Sequence, residues 1–295
     1  METHTAFSEF KSSDSWSILT DIEKSIKAKI EAIGTPLKNW DVSINYGIKT
    51  GYNDAFIIDS AKREQILSNC QSEEERKRTA EIIRPILRGR DIKRYGYEFA
   101  DKYIIATFPS RQYNIDDYQA LKTFLLSFGM ERLEQTGKEY TICGEKIKAR
   151  KKTNNKWFET QDSINYWDEF SKPKIVWGNL NTHASYAIAP NDMFINAPAC
   201  MIVPASNYLL SVLNSKVADY YIRTLGVVRN GGFFEYKPMF VENIPIPTIA
   251  PEQLKEIDAI YASELSKIDK DCRIQEIINA IYGLSEEEIN YLQSI

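Results

Sequence analysis

Gly47-Ile48-Lys49-Thr50-Gly51-Tyr52-Asn53-Asp54-Ala55-Phe56-Ile57-Ile58 reads as strand, tight turn, strand. Val42, Ile44, Tyr46 and Ile48 alternate with other residues at the period of a half-buried strand. Phe56, Ile57 and Ile58 form a short apolar run suited to a second strand, which predicts a hairpin over residues 41–58. Gly51 and Asn53 tolerate left-handed backbone. Lys49, Thr50, Tyr52 and Asn53 crowd the bend with hydrogen-bonding groups. A bland hairpin needs none of these, so the bend is either a decorated surface turn or a binding element.

Working outward, Thr20-Asp21-Ile22-Glu23 is a capping-box pattern, and Ile22, Ile26, Ile30 and Ile33 share the face of a helix stopped by Gly34 and Pro36. A polar helix is expected from about Arg63 to Arg84, ended by Pro85, and a strand over 102–108. Asn114 can cap a helix carrying Tyr118, Leu121, Leu125 and Phe128, ended by Gly137. Residues 138–156 are polar and basic and predict a mobile loop. Strands are expected at 173–178, 183–189 and 198–203, then one amphipathic helix over 206–224. Arg229-Asn230-Gly231-Gly232 marks a turn, and Ile244-Pro245-Ile246-Pro247 a rigid extended piece. Capped helices fill the remainder, with Ser285-Glu286-Glu287-Glu288 as a second capping box. The expectation is a mixed α/β (α+β) body over residues 1–250 and an acidic helical tail over 251–295.

The 295 residues, 43% of them hydrophobic, suffice for a sizeable core. No apolar run is long enough for a bilayer and no signal pattern opens the chain, so a cytoplasmic protein is expected, with no membrane partner. The four cysteines, Cys70, Cys143, Cys200 and Cys272, are widely spaced; with only His4 and His183 beside them, reduced buried thiols are expected, with no metal site. Net charge is −4, but residues 251–295 hold ten acidic and four basic residues, which leaves +2 for the rest. There the positive charge is concentrated in two stretches. Arg84, Arg88, Arg90, Lys93 and Arg94 share one with a single acid, Asp91; Lys146, Lys148, Arg150, Lys151, Lys152 and Lys156 share the other with none between them.

No Gly-rich phosphate loop, His-Glu-x-x-His or Gly-x-Ser-x-Gly is present. Glu9-Phe10-Lys11 has nuclease-like spacing but no suitable acid ahead of it, and His183 has no obvious acid partner. No catalytic residues are assigned. What remains suits binding. Clustered Arg and Lys give salt-dependent affinity for phosphate, and Asn and Arg on loops suit adenine and guanine edges. One basic run is ordinarily a solvated face; two, with Asn-rich and Gly-rich loops, favour nucleic acid. Trp167 and Trp177 are expected in the core rather than as stacking platforms.

Three stretches resemble one known family. They are Gly47 to Phe56, then Ile83-Arg84-Pro85-Ile86-Leu87-Arg88-Gly89-Arg90-Asp91-Ile92-Lys93-Arg94-Tyr95, then Lys172-Pro173-Lys174-Ile175-Val176-Trp177. With Tyr208 to Ser215 and Ile244 to Pro247 in the expected order, the chain from about Trp16 onward is similar to the TaqI-like C-terminal specificity domain, and to the recognition domains of type I specificity subunits. The resemblance implies the target-recognition part of an adenine-N6 DNA methyltransferase or fused restriction-modification enzyme of type II or IIG. The chain would be an excised domain or a separate specificity subunit, non-catalytic and without a cofactor of its own. S-adenosylmethionine would belong to the parent's catalytic domain, and the partners would be double-stranded DNA and a methyltransferase domain or subunit.

On this reading Lys49, Arg88, Arg90, Arg94, Arg150, Lys151 and Lys152 are candidates for phosphate contact. Thr50, Tyr52, Asn53, Asn179, Asn181 and Arg229 are candidates for base reading. The two basic stretches and the Gly-Tyr-Asn bend are expected around one concavity, and the tail against the body or a partner. A free-standing metal-dependent nuclease and a protein-interaction scaffold with basic loops are the alternatives.

Overall fold

The computed structural model describes residues 19–226 and 228–295. Glu9-Phe10-Lys11, His4 and Trp16 lie outside them. The chain forms two compact units. One combines Met1–Val42, described from residue 19, with Leu180–Ala184 and Ser206–Ile295; the other combines Ser43–Asn179 with Ser185–Ala205.

The second unit is built on two sheets. In the first, Lys174–Trp177 and Cys200–Val203 are fully buried inner strands, with Tyr186–Ala189 and Ser43–Tyr46 outside them, all antiparallel. The three strands expected between 173 and 203 are therefore present. Trp177 lies in the core and Trp167 packs against Phe108 and Phe194. The second sheet runs Phe194–Ile195, Ile83–Leu87, Tyr103–Ile105, Ile57–Ile58, and its first pair is parallel.

The expected 41–58 hairpin does not form. Ser43–Tyr46 pairs with Cys200–Val203, Ile57–Ile58 pairs with Tyr103–Ile105, and Asn53–Phe56 makes one helical turn between them. The inner strand Cys200–Val203 needs partners on both edges, and that long-range pairing outweighs the local turn. The expected 63–84 helix is two, Ser60–Ser68 and Glu73–Ile82. Ser72 caps the second, and buried Glu75 accepts from the Gln71 and Ala120 amides at 2.7 and 2.8 Å. The expected mobile loop is an ordered ribbon, Glu139–Ile142 against Glu145–Lys148, closed by Cys143 and Gly144, both at positive φ. The helix near Tyr118 runs only over Gln119–Leu126.

In the first unit the capping box at Thr20 starts the helix Asp21–Ile33, and Gly34–Pro36 pairs with Pro245–Pro247. A Cβ on Gly34 would sit 2.5 Å from Pro245, so only glycine fits this crossing. The expected 206–224 helix breaks at Ser215 into Asn207–Leu213 and Lys216–Leu225. Tail helices Pro251–Ala262, Lys267–Ile281 and Glu286–Ser294 complete the unit. The Tyr282 hydroxyl donates to Pro245 O at 2.7 Å, and Glu288 accepts from Lys29 and Ser25 at 2.6 and 2.7 Å. Burial pushes the Glu288 carboxyl up, but these donors outweigh it and hold it at about 2. Among the cysteines only Cys200 is buried and Cys70 half-buried; Cys143 and Cys272 are exposed, against the expectation of buried thiols.

Candidate nucleic-acid interface

Three parallel segments of the second unit end at one edge. Ile48 bridges Asn196 in parallel, and Phe194–Ile195 pairs in parallel with Ile86 and Leu87. The Ile48 amide donates to Ile195 O at 2.7 Å and the Asn196 amide to Leu87 O at 2.8 Å. Lys49 and Arg88, next in sequence after Ile48 and Leu87, thus leave the same edge roughly 10 Å apart, two strand spacings. Gly47 is required here, because a Cβ would lie 2.6 Å from the Asn196 carbonyl carbon and 2.7 Å from Ala199 O. A Cβ on Gly89 would meet Gly178 Cα at 3.5 Å and Ala199 Cβ at 3.9 Å, both ordinary contacts.

The Arg88–Asp91 segment is a closed turn. Arg88 Nε and Nη2 donate to the two carboxylate oxygens of Asp91 at 2.9 and 2.7 Å, and the Arg88 amide adds a third bond at 2.9 Å. Burial raises the Asp91 pKa, but the Arg88 bonds outweigh it and leave it below the usual carboxylate range. Arg88 therefore holds the turn, while Arg90 is exposed beside it. Arg94 lies 5.0 Å over the Tyr95 ring. Arg84, further back, pairs with Asp192 at 2.9 Å.

The second basic stretch is arranged differently. Arg150 is 4% exposed, and its guanidinium donates to Leu133 O, Thr50 O, Glu159 O and Trp157 O while stacking 5.0 Å over Phe56. Burial lowers its pKa to about 10, still charged at neutral pH. With its donors committed to carbonyls, Arg150 is no phosphate ligand; it ties the Thr50 bend to the ribbon. Its neighbours Lys146, Lys148, Lys151 and Lys152 are exposed.

The result is a cleft of about 450 Å³ lined by Gly51, Tyr52, Arg132, Lys146, Ile147, Lys148, Ala149, Arg150, Lys151 and Gln161, with no acid in the lining. The floor is fixed by pairing of residues 49–50 with 161–162: the Gln161 amide donates to Thr50 O and the Asp162 amide to Lys49 O, each at 3.2 Å. Tyr52 is half-buried, its ring edge-on to Phe128 at 5.7 Å. Arg132, Lys146, Lys148 and Gln161 complete a wall that sequence reasoning had not assigned; the Lys-x-Lys spacing at 146 and 148 was the available signal.

The base-reading candidates separate. Thr50 is buried and its hydroxyl donates to Asn53 Oδ1 at 2.7 Å, so it shapes the bend and is not available to a ligand. Asn53 is exposed. Asn179 follows Gly178 beside the Gly89 turn, and its Oδ1 is buried with no hydrogen-bond partner among the described residues. Asn181 and Arg229 belong to the other unit. Arg229 Nε donates to buried Glu235 at 2.6 Å, so its charge is largely satisfied internally. His183 lies 3.0 Å from the Arg223 guanidinium, as a hydrogen-bonded structural residue would.

Among the described residues no group of three or more His, Cys, Asp or Glu could hold a metal, and no helix is long and apolar enough to cross a membrane. The sequence pattern of the TaqI-like C-terminal specificity domain matches residues 84–246. The chain belongs to that family. Two solved structures share the fold of this specificity domain. One is the type IIL restriction-modification enzyme MmeI in complex with DNA, at TM-score 0.57 and 12% identity over 87% of this chain and 35% of that one. The other is the type IIG restriction endonuclease BpuSI, at TM-score 0.51 and 13% identity over 89% of this chain and 33% of that one. The specificity domain thus spans about a third of either chain. No curated protein matches it by sequence.

Proposed function

We propose that this specificity domain recognises a DNA sequence for an adenine-N6 methyltransferase or restriction-modification enzyme, holding the duplex while a catalytic domain on another part of the protein or another subunit binds S-adenosylmethionine and takes the extruded adenine. The observation that carries the reading is the cleft whose lining holds no acid, where Arg132, Lys146, Lys148 and Lys151 line the same depression as Gly51 and Tyr52. Such a surface binds polyanions with a strong salt dependence. Lys49 and Arg90, exposed at the adjoining edge, extend phosphate contact, with Lys152 next to the cleft and Arg94 at the end of the turn segment. Tyr52 and Asn53 carry groups able to read bases, because amides and hydroxyls discriminate base edges where lysines do not, whereas the buried Asn179 Oδ1 is not presented to a ligand.

The test is selection of bound duplexes from a random-sequence library by the purified chain, followed by mapping of N6-methyladenine in host DNA. Enrichment of one short sequence, methylated at adenine in the host, is expected. A library that returns unenriched, or a selected sequence methylated elsewhere than adenine N6, contradicts the reading at its first or second step respectively.

A further inference from the structure

The Glu139–Lys148 ribbon is a two-stranded antiparallel hairpin outside both sheets. Isolated hairpins are marginal in water, so this one needs an anchor and a use. Cross-strand register divides its two faces. Tyr140 pairs with Ile147, and the Tyr140 hydroxyl donates to Glu134 Oε2 at 2.8 Å, so this half-buried face is held to the body. On the opposite face Glu139 pairs with Lys148 and Thr141 with Lys146, all four exposed. The base of the ribbon is closed by bonds from the Ala149 amide to Lys138 O and the Gly137 amide to Arg150 O, at 2.9 and 2.8 Å. Buried Arg150 then fixes that base to Thr50 O and Leu133 O. The outcome is a rigidly based arm with a lysine-bearing face.

We propose that this ribbon inserts into the major groove of the bound duplex, with Lys146 and Lys148 reaching its phosphates and Thr141 and the Cys143-Gly144 tip at base edges. The inference rests on the DNA-recognition reading above and adds the element and the groove. Width decides between grooves. Two strands about 4.8 Å apart with side chains fill about 10–12 Å, which the roughly 12 Å major groove admits and the roughly 6 Å minor groove does not. Charge agrees, because the ribbon's exposed lysines continue the cleft wall formed with Arg132 and Lys151.

The exposed Cys143 at the tip provides the probe. Duplexes carry a disulfide-capped thiol tether at successive positions, either on cytosine N4, which lies in the major groove, or on guanine N2, which lies in the minor groove. Duplex binding is first measured by fluorescence anisotropy at low salt, and thiol trapping is then followed by gel. The expected result is trapping from N4 tethers at least tenfold faster than from N2 tethers, lost in Cys143→Ser and retained in Cys272→Ser. Binding without Cys143 trapping at any position, or trapping equally fast from N2, overturns the ribbon proposal and leaves DNA recognition standing. Absence of duplex binding overturns both.

Discussion

The two basic stretches have similar composition and opposite physical roles. In 84–94 two of the arginines are spent on structure: Arg88 closes on Asp91 and Arg84 on Asp192, leaving Arg90 and Lys93 as the exposed cations of the stretch. In 146–156 one residue, Arg150, is buried and satisfied by carbonyls, while five lysines, Lys146, Lys148, Lys151, Lys152 and Lys156, stay exposed around it. A cation with a committed carboxylate or carbonyl set contributes to fold; one facing solvent contributes to potential. Counting charge along a sequence does not separate the two.

Arg150→Met should have the largest effect. It leaves the carbonyls of Leu133, Thr50, Glu159 and Trp157 without their buried donor and should cost about 3–5 kcal/mol in chemical denaturation. A loss below about 1 kcal/mol would place Arg150 with the functional cations after all. Gly47→Ala should come next, at about 1–3 kcal/mol, because the added methyl meets backbone rather than a side chain that can swing away. Gly89→Ala, with its open 3.5 Å approach, should be nearly silent by the same assay.

Asp91→Asn should cost roughly 1.5–3 kcal/mol through the lost charge-assisted bonds to Arg88. The folded Asp91 pKa lies below its ordinary 3.8, so the stabilisation is complete above that value and disappears as pH falls through the lower folded one. Wild type and Asp91→Asn should therefore differ in urea midpoint at pH 7 and converge under strong acid. A gap that persists there would mean the carboxylate charge is not what closes the turn. Smallest in stability are Lys146→Ala and Lys148→Ala, expected within about 0.5 kcal/mol of wild type.

The elements that were legible were those set by local chemistry. Thr20-Asp21-Ile22-Glu23 and Ser285-Glu286-Glu287-Glu288 both form capping boxes. The buried strands near 174, 186 and 200 followed from apolar runs between turn residues. Ser72-Glu73-Glu74-Glu75 carries the same cap signal inside the polar run 63–84 and divides it into two helices. Ser215 caps Lys216–Leu225 without an acid three residues on, so its sequence carries a weaker signal for the break. The 139–148 ribbon was obscured because Cys143-Gly144 takes the place where Asn-Gly would announce a tight turn. The 41–58 pairing was not legible at all, since its partner strand lies over 150 residues away in sequence. The bend and the lysine-rich stretch, both legible in the sequence, line one cleft, but Arg150 and Thr50, expected at its surface, are buried. Nothing in a basic run marks which cation turns inward.

The most direct measurement is duplex affinity as a function of salt for the wild-type chain and for Lys146→Ala/Lys148→Ala/Lys151→Ala. If the cleft grips phosphates, the slope of log affinity against log salt should fall by about three, roughly one per lysine, with unfolding midpoints unchanged. An unaltered slope in a stably folded triple variant would contradict the assignment of this cleft as the DNA-binding surface.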